Sequence, residues 1–246
     1  MTNIKHAFTI LSALFYTAAG YSQTEFRVSL FDTARNRPVP VAVYQPPKEG
    51  KHTKVVIFNH GYDENKNSNA NGSYSYLTRF LAEKGYYVIS IQHELPGDPL
   101  LAMDGNFMET RMPNWERGVE NILFAISEFK KLKPGLDWKN VTVIGHSNGG
   151  DMAMLLAAEH PGTVVKSISL DHRRMIMPRV SNPRIYTIRG CNYDADPGVI
   201  PSAEEQSRYG ITVIKADGIT HSDMGQRGSK EQHELINSYI YGFLKQ

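Results

Sequence analysis

A serine at the junction of a predicted strand and a predicted helix constrains the fold more than any other feature of the chain. Residues 141–144 form a β-branched, largely apolar run, residues 145–149 read Gly-His-Ser-Asn-Gly, and residues 152–158 are a second apolar run. The first run is typical of a buried strand and the second of a buried helix. A tight turn between them pushes the serine hydroxyl toward solvent, and glycines on both sides let strand and helix approach closely. We therefore predict that Ser147 is a nucleophile.

A serine hydroxyl needs a base that takes its proton and an acid that orients the base. We favour His221 as the base because it follows a predicted strand at residues 211–215 and precedes the last predicted helix. That helix starts at residues 229–232 with the pattern of a capping box. His60 comes before the nucleophile and is interpreted as a structural residue of a turn.

Three aspartates are candidates for the acid. Asp196 is favoured because the Pro-Gly turn at residues 197–198 would hold it in one place. Asp194 lies in the same loop. Asp171 ends a predicted strand at residues 164–170 and is equally compatible with a role as a strand-end cap. The sequence favours Asp196 and leaves the choice open.

The oxyanion that forms during attack on a carbonyl needs two hydrogen-bond donors. Residues 55–58 are an apolar run that predicts a central strand, and it ends in Asn-His-Gly-Tyr. Gly61 permits a sharp turn there, so that the backbone amide of Tyr62 can face the serine. The second predicted donor is the backbone amide of Asn148.

With these residues, the chain resembles the α/β-hydrolase superfamily, in which the order along the chain is serine, acid, histidine. The likeness covers nearly the whole chain after its first 22 residues and is strongest to small bacterial esterases without a cap and to the dienelactone-hydrolase type. It implies an α/β fold with a mostly parallel central sheet, an N-terminal antiparallel hairpin and helices on both faces. Asn148 departs from the pattern, because many relatives carry an apolar residue there; we expect it to tune the pocket without abolishing catalysis.

The remaining pattern agrees with that fold. Residues 26–31 and 39–44 predict an edge hairpin, residues 74–84 a helix and residues 87–91 a strand. A long helix follows, with Trp115 and Phe129 on its apolar face and Asn114 as its cap. Alternating strands and helices indicate a mostly parallel sheet.

Two long loops, residues 61–73 and 92–113, lie beside the predicted site. The second contains Met103, Phe107 and Met108, which we predict to contact the substrate in an adaptable acyl or alcohol pocket. The alternative is that these side chains anchor the loop to the core.

The start of the chain has a basic residue, an apolar stretch and a small-residue exit, which predicts a signal peptide over residues 1–22 and a secreted or periplasmic protein. An uncleaved anchor is the alternative. Residues 23–246 then form a single catalytic domain, which we expect to be a monomer. With 27 basic and 25 acidic residues the formal net charge is +2, which provides no field for nucleic acid or for an anionic membrane, and the single cysteine excludes an internal disulfide.

These observations predict a serine hydrolase that cleaves a short-acyl carboxylic ester through an acyl-enzyme, on a small-molecule or polymer-linked substrate. The mechanism needs no metal and no organic cofactor. A serine peptidase or thioesterase of the same fold is an alternative reading, and so is a binding protein of this fold without catalysis.

Overall fold

The computed structural model describes residues 24–246, so the predicted signal peptide lies outside the described residues. Eight strands form one sheet: β1 (Thr24–Asp32), β2 (Arg37–Gln45), β3 (Lys54–Asn59), β4 (Tyr87–Ile91), β5 (Asp137–His146), β6 (Lys166–Leu170), β7 (Arg184–Arg189) and β8 (Thr212–Lys215). Their order in the sheet is β1-β2-β4-β3-β5-β6-β7-β8. The pairs that β2 makes with β1 and β4 are antiparallel, and the other pairs are parallel.

Residues 24–246 also form six α-helices, of which the last follows the final strand: α1 (Ser75–Glu83), α2 (Phe107–Thr110), α3 (Met112–Leu132), α4 (Asn148–Glu159), α5 (Ala203–Tyr209) and α6 (Lys230–Lys245). Two short 3-10 helices lie at Ala70–Gly72 and Ser222–Met224. None of the helices within residues 24–246 is both long enough and apolar enough to span a membrane.

The predicted edge hairpin is present as β1 and β2, and each strand is longer than the apolar run that predicted it. The turn between them is held by Asp32, whose Oδ1 accepts hydrogen bonds from the amides of Ala34 and Arg35 at 3.0 and 3.3 Å. A short polar side chain that captures nearby amides is a common turn device. Local chemistry therefore fixes this element.

The central strands are buried on both faces, which explains their almost continuous apolar runs. In β3, Val55 and Ile57 pack with α3 and α4 on one face of the sheet, and Val56 and Phe58 pack with α1 and α6 on the other. Successive side chains of a strand point to opposite faces, so one run feeds both cores. The predicted helices on both faces are thus confirmed.

The start of the long helix differs from the prediction. Its N-cap is Arg111, and Asn114 lies in the first turn and is buried. The side chain of Asn114 is not available as a cap because its Oδ1 accepts a hydrogen bond from Asn148 at 2.8 Å. A tertiary contact has replaced the local one.

The sheet order brings the loops of interest together. The chain passes from β3 outward to β4 and then returns to the other side of β3 with β5. In open parallel sheets, ligand sites form at the carboxyl ends of the strands beside such a reversal. Ser147 directly follows β5, so it lies at this position.

Candidate active site

Ser147 occupies a strained turn between β5 and α4. Its φ of 52° and ψ of −121° place it in a region that non-glycine residues rarely adopt. The turn is tight: a Cβ on Gly145 would lie 2.1 Å from the carbonyl oxygen of Gly149, and a Cβ on Gly149 would lie 2.4 Å from that of Asn59. Only glycine fits at both positions. The close approach of strand and helix that the sequence pattern predicts is therefore present.

Three side chains form a hydrogen-bonded line at the carboxyl edge of the sheet. The Nε2 of His221 lies 3.0 Å from the Oγ of Ser147, and its Nδ1 lies 2.7 Å from the Oδ2 of Asp171. The structure therefore brings the predicted nucleophile and the predicted base to hydrogen-bond distance. The third member of the line is Asp171.

The surroundings of Asp171 favour its ionised form. Its side chain is fully buried, and its Oδ1 accepts from the amide of Gly190 at 2.9 Å and lies 2.9 Å from the Nη2 of Arg189. Burial alone would raise the pKa of Asp171, but the hydrogen bond from His221, the charge of Arg189 and the Gly190 amide outweigh it and lower the pKa. A negative charge is thus fixed against the Nδ1 side of the imidazole.

The choice of Asp196 is corrected by this geometry. The Oδ1 of Asp196 pairs with the Nη1 of Arg174, and about a third of its side chain is exposed. The predicted turn does hold Asp196, because the amide of Val199 donates to its carbonyl at 3.1 Å. The carboxylate is nevertheless paired with Arg174, and Asp194 is exposed.

The position of Asp171 depends on the order of strands in the sheet. It directly follows β6, the strand next to β5, and has a positive φ of 49°. The sequence signal was a buried strand run that stops at an aspartate, and that pattern also describes a simple strand-end cap. The pairing of β6 with β5, which places Asp171 beside the serine turn, distinguishes the two roles.

The loop after β3 lies against the serine, as predicted. A Cβ on Gly61 would be 3.3 Å from the Cβ of Ser147, so the loop that carries Tyr62 packs closely on the nucleophile at Gly61. The Tyr62 hydroxyl accepts from the amide of Leu101 at 3.1 Å and ties the two long loops together. His60 is buried; its Nδ1 lies 2.8 Å from the carbonyl of Gly61, and its Nε2 accepts from the amide of His93 at 3.0 Å. These contacts match the structural role expected of His60.

Asn148 is the first residue of α4, where backbone amides have no partner within the helix. Its buried side chain accepts from the Nε1 of Trp115 at 2.9 Å and donates to Asn114 at 2.8 Å and to Glu94 at 3.2 Å. This network explains the polar residue at a position where we expected an apolar one to be common. Its hydrogen bonds fix the first turn of α4 to α3 and to the loop after β4.

The three predicted substrate contacts have different surroundings. Phe107 lies between the guanidinium groups of Arg111 and Arg174, which are 4.4 and 4.3 Å from its ring centre. Met108 packs against the core on the α3 side, and Met103 is 73% exposed. Met108 therefore has the contacts of a loop anchor, and substrate contact by Met103, Phe107 and Met108 stays a prediction.

Within residues 24–246, histidine, cysteine and acidic side chains form no group of three or more that could hold a metal ion. Asp171, His221 and Ser147 are held in place by their hydrogen bonds to one another and by the amide of Gly190, which donates to Asp171.

Comparison with known proteins assigns the family. The family model described as Chlorophyllase matches residues 12–176, which is more than half of the chain and includes both Ser147 and Asp171. The chain belongs to the chlorophyllase family. The resemblance to small α/β-hydrolase esterases is confirmed, and the family match assigns the chain to a narrower group.

Two curated relatives carry similar names. A serine hydrolase-like protein of Dictyostelium discoideum is 27% identical over 127 residues, which cover 51% of this chain and 30% of that protein. A probable serine hydrolase of Drosophila melanogaster is 31% identical over 81 residues, which cover 30% of this chain and 24% of that protein. The matched segments span less than a third of either relative.

Solved structures show the same fold. An S-formylglutathione hydrolase from Agrobacterium tumefaciens has a TM-score of 0.62 at 16% identity and covers 97% of this chain and 98% of its own. A fungal esterase from Rhizomucor miehei has a TM-score of 0.66 at 12% identity, with 96% and 83% covered. An esterase from Thermogutta terrifontis with bound butyrate has a TM-score of 0.61 at 12% identity, with 86% and 92% covered. The predicted α/β-hydrolase fold is confirmed, and both curated relatives that match segments of this chain carry serine hydrolase names.

Proposed function

We propose that this chlorophyllase-family protein hydrolyses a carboxylic ester through an acyl-enzyme on Ser147. The observation that carries the proposal is the line from Ser147 through His221 to Asp171, with distances of 3.0 and 2.7 Å, at a strained strand-to-helix turn. A hydroxyl, an imidazole and a buried carboxylate in this order are the parts that general-base activation of a serine requires.

In the proposed reaction, the Nε2 of His221 accepts the proton of the Ser147 hydroxyl as its oxygen attacks the ester carbonyl. Asp171 holds the proton on Nδ1, so that Nε2 carries the free electron pair, and stabilises the imidazolium that forms. The imidazolium then gives its proton to the leaving alcohol as the C–O bond breaks. Water, deprotonated by the same imidazole, attacks the acyl-enzyme, and the carboxylic acid leaves.

The negative charge on the carbonyl oxygen would be held by the backbone amides of Tyr62 and Asn148. Asn148 follows Ser147 at the start of α4, where the helix dipole favours an anion. Tyr62 follows Gly61, the glycine that packs on Ser147. Preorganised amides of this kind contribute about 3–4 kcal/mol of transition-state stabilisation each.

We propose short-acyl esters as the preferred substrates, on a small or bulky alcohol. Cap-bearing relatives carry an insertion of several helices between β6 and β7. Here this connection is residues 171–183, all of which the structure describes, and it contains no helix. Exposed side chains at the carboxyl edge, namely Leu100 at 70% and Tyr193 at 50%, agree with an open cleft. An open cleft encloses few methylenes, and each contributes about 0.8 kcal/mol only when it is buried. The names of two structural neighbours, which mention formyl and butyrate groups, fit this preference.

Labelling with a fluorophosphonate and a panel of esters test the proposal. We expect wild-type protein to be labelled at Ser147 and to prefer acetyl and butyryl over palmitoyl esters of one chromogenic alcohol. The Ser147→Ala variant should fold, take no label and lose about a million-fold in turnover. The panel includes chlorophyll, to which the family name refers, a thioester and a peptide.

Three results contradict different parts of the proposal. A folded Ser147→Ala variant with near-normal esterase activity would overturn the mechanism. A preference for the palmitoyl ester, or a jump in activity at a lipid interface, would overturn the open-cleft argument and leave the mechanism intact. Faster turnover of the thioester or peptide than of any ester would move the protein to one of the alternative hydrolase classes.

A further inference from the structure

A second histidine, His146, lies beside the catalytic residues. It has no hydrogen bond to the Ser147 hydroxyl or to the Asp171 carboxylate. It is the last residue of β5 and directly precedes the serine. Its side chain is buried, with 5% of the residue exposed, and its ring centre is 4.7 Å from that of His221. Nothing in the proposed reaction uses it.

The hydrogen bonds of His146 have only one consistent direction. The hydroxyl of Tyr74, which accepts from the amide of Gly61 at 3.1 Å, lies 2.7 Å from the Nδ1 of His146, and the backbone carbonyl of His221, which faces Nε2, can only accept. Nδ1 is therefore an acceptor, and the ring proton of a neutral imidazole must be on Nε2. That Nε2 donates to the backbone carbonyl of His221 at 3.0 Å.

This chain connects the three parts of the site. Gly61 belongs to the loop after β3, His146 to the turn at the nucleophile, and His221 to the loop after β8. A Cβ on Gly61 would lie 3.0 Å from the Nδ1 of His146 and 3.1 Å from the Tyr74 hydroxyl, which shows how closely the loops meet. Burial, followed by the charge of His221, lowers the pKa of His146 to about 3, so the ring stays neutral during turnover at neutral pH.

The main chain of His221 is held from two sides. Its amide donates to the Oδ1 of Asn192 at 2.7 Å, and its carbonyl accepts from His146. The two hydrogen bonds hold the peptide units on either side of the His221 Cα, and so restrict the position from which the imidazole reaches Ser147 and Asp171.

We propose that His146 is a positioning residue, which holds the backbone of the catalytic histidine through Nε2 while Tyr74 fixes its tautomer. The inference rests on the proposed function, because it assigns to His146 a task in the alignment of His221 with Ser147. An error of about 1 Å in such an alignment can cost about a hundredfold in rate.

Two substitutions of His146 separate its two hydrogen bonds. In His146→Gln, the side-chain amide nitrogen takes the place of Nε2 and can still donate to the carbonyl of His221. In His146→Asn, the shorter side chain can replace Nδ1 as the acceptor for Tyr74 but does not reach His221. We expect kcat to fall about threefold or less in His146→Gln and about 10- to 100-fold in His146→Asn, with KM nearly unchanged in both.

Tyr74→Phe tests the tautomer. Without the hydroxyl, the proton can move to Nδ1, and the electron pair of Nε2 then faces the carbonyl of His221. We expect a loss of about tenfold in kcat. His233→Leu is the matched control, because it removes an imidazole-to-carbonyl hydrogen bond of 2.8 Å, from Nε2 to Gly225, in the same part of the chain as His221. It should lower stability and leave kcat unchanged.

A readout that is independent of turnover is the proton NMR signal of the His221 Nδ1 proton in its 2.7 Å bond to Asp171. We expect this signal to keep its position in His146→Gln and to shift or broaden in His146→Asn and Tyr74→Phe. Equal kcat in the two His146 variants, an unchanged signal in both, or losses that merely follow the free energy of unfolding and include His233→Leu, would overturn the proposal. Ser147→Ala with wild-type activity would instead reject the proposed function, and the NMR comparison would still decide the positioning role.

Discussion

Replacement of Asp171 by asparagine is the sharpest test of the site. The Oδ2 of Asp171 accepts the Nδ1 proton of His221 at 2.7 Å. An asparagine amide group at that position would be a donor, so the imidazole would turn to the tautomer with its proton on Nε2. Nε2 would then face the Ser147 hydroxyl without a free electron pair and could not act as a base.

The expected loss in kcat follows from the change of tautomer. Loss of the correct tautomer costs about ten-thousand-fold in kcat in serine proteases, which corresponds to about 5 kcal/mol of transition-state stabilisation. The asparagine oxygen can still accept from the Gly190 amide and from Arg189, so the fold should persist. Arg189 is buried and loses its counter-charge, so we expect some loss of stability as well.

The assay is steady-state hydrolysis of a chromogenic acetyl ester, with circular dichroism to verify folding of each variant. Asp196→Asn is the control, because it removes a carboxylate from the same edge of the sheet but only breaks the partly exposed pair with Arg174. It should change kcat less than threefold and stability by about 1 kcal/mol or less. If Asp196→Asn is the crippling change, or a folded Asp171→Asn keeps a tenth of wild-type activity, the assignment of the acid is wrong.

Further predictions concern stability. Burial raises the pKa of Asp151 from 3.8 to about 6, so the native state binds more protons than the unfolded state between these pH values and stability falls as the pH rises through them. Asp151→Asn, whose oxygen can still accept from the amides of Arg174 and Met175, should remove up to about 3 kcal/mol of that fall; equal slopes of the urea-derived free energy of unfolding against pH would contradict this. Gly149→Ala should destabilise by about 3 kcal/mol or more, because its Cβ would lie 2.4 Å from two backbone carbonyls. Gly162→Ala, which has open space around it, should be neutral in the same thermal melts, and similar melting temperatures for both variants would refute the packing argument.

Local signals in the sequence determined the elements that depend on local chemistry. The edge hairpin, the strand before Ser147 and the capping box at Ser229 each follow from periodicity, turn residues or caps within a few positions, and the structure contains all three. The Gly-x-Ser-x-Gly pattern is only partly local: Gly145 packs on Gly149 in the next helix, whereas Gly149 packs on the carbonyl oxygens of Asn59 and His60 at the end of β3.

The cap of the long helix shows where local reasoning fails. Asn114 has the side chain of a good N-cap, but its hydrogen bond to Asn148, 34 positions away, keeps it inside the helix. The energy of that contact depends on how α3 packs beside α4, which the residues around Asn114 do not encode.

Tertiary structure alone decided which carboxylate faces His221. In the sequence, Asp171 follows a predicted strand, and the turn at residues 197–198 favoured Asp196. In the sheet, β6 lies beside β5, so that Asp171 at its end reaches His221, while Arg174 draws the Asp196 side chain away. Residue types and spacing predict which chemistry a chain can assemble, but the order of strands determines which of several equivalent groups meet, because hydrogen bonds between side chains form only over distances that the sheet fixes.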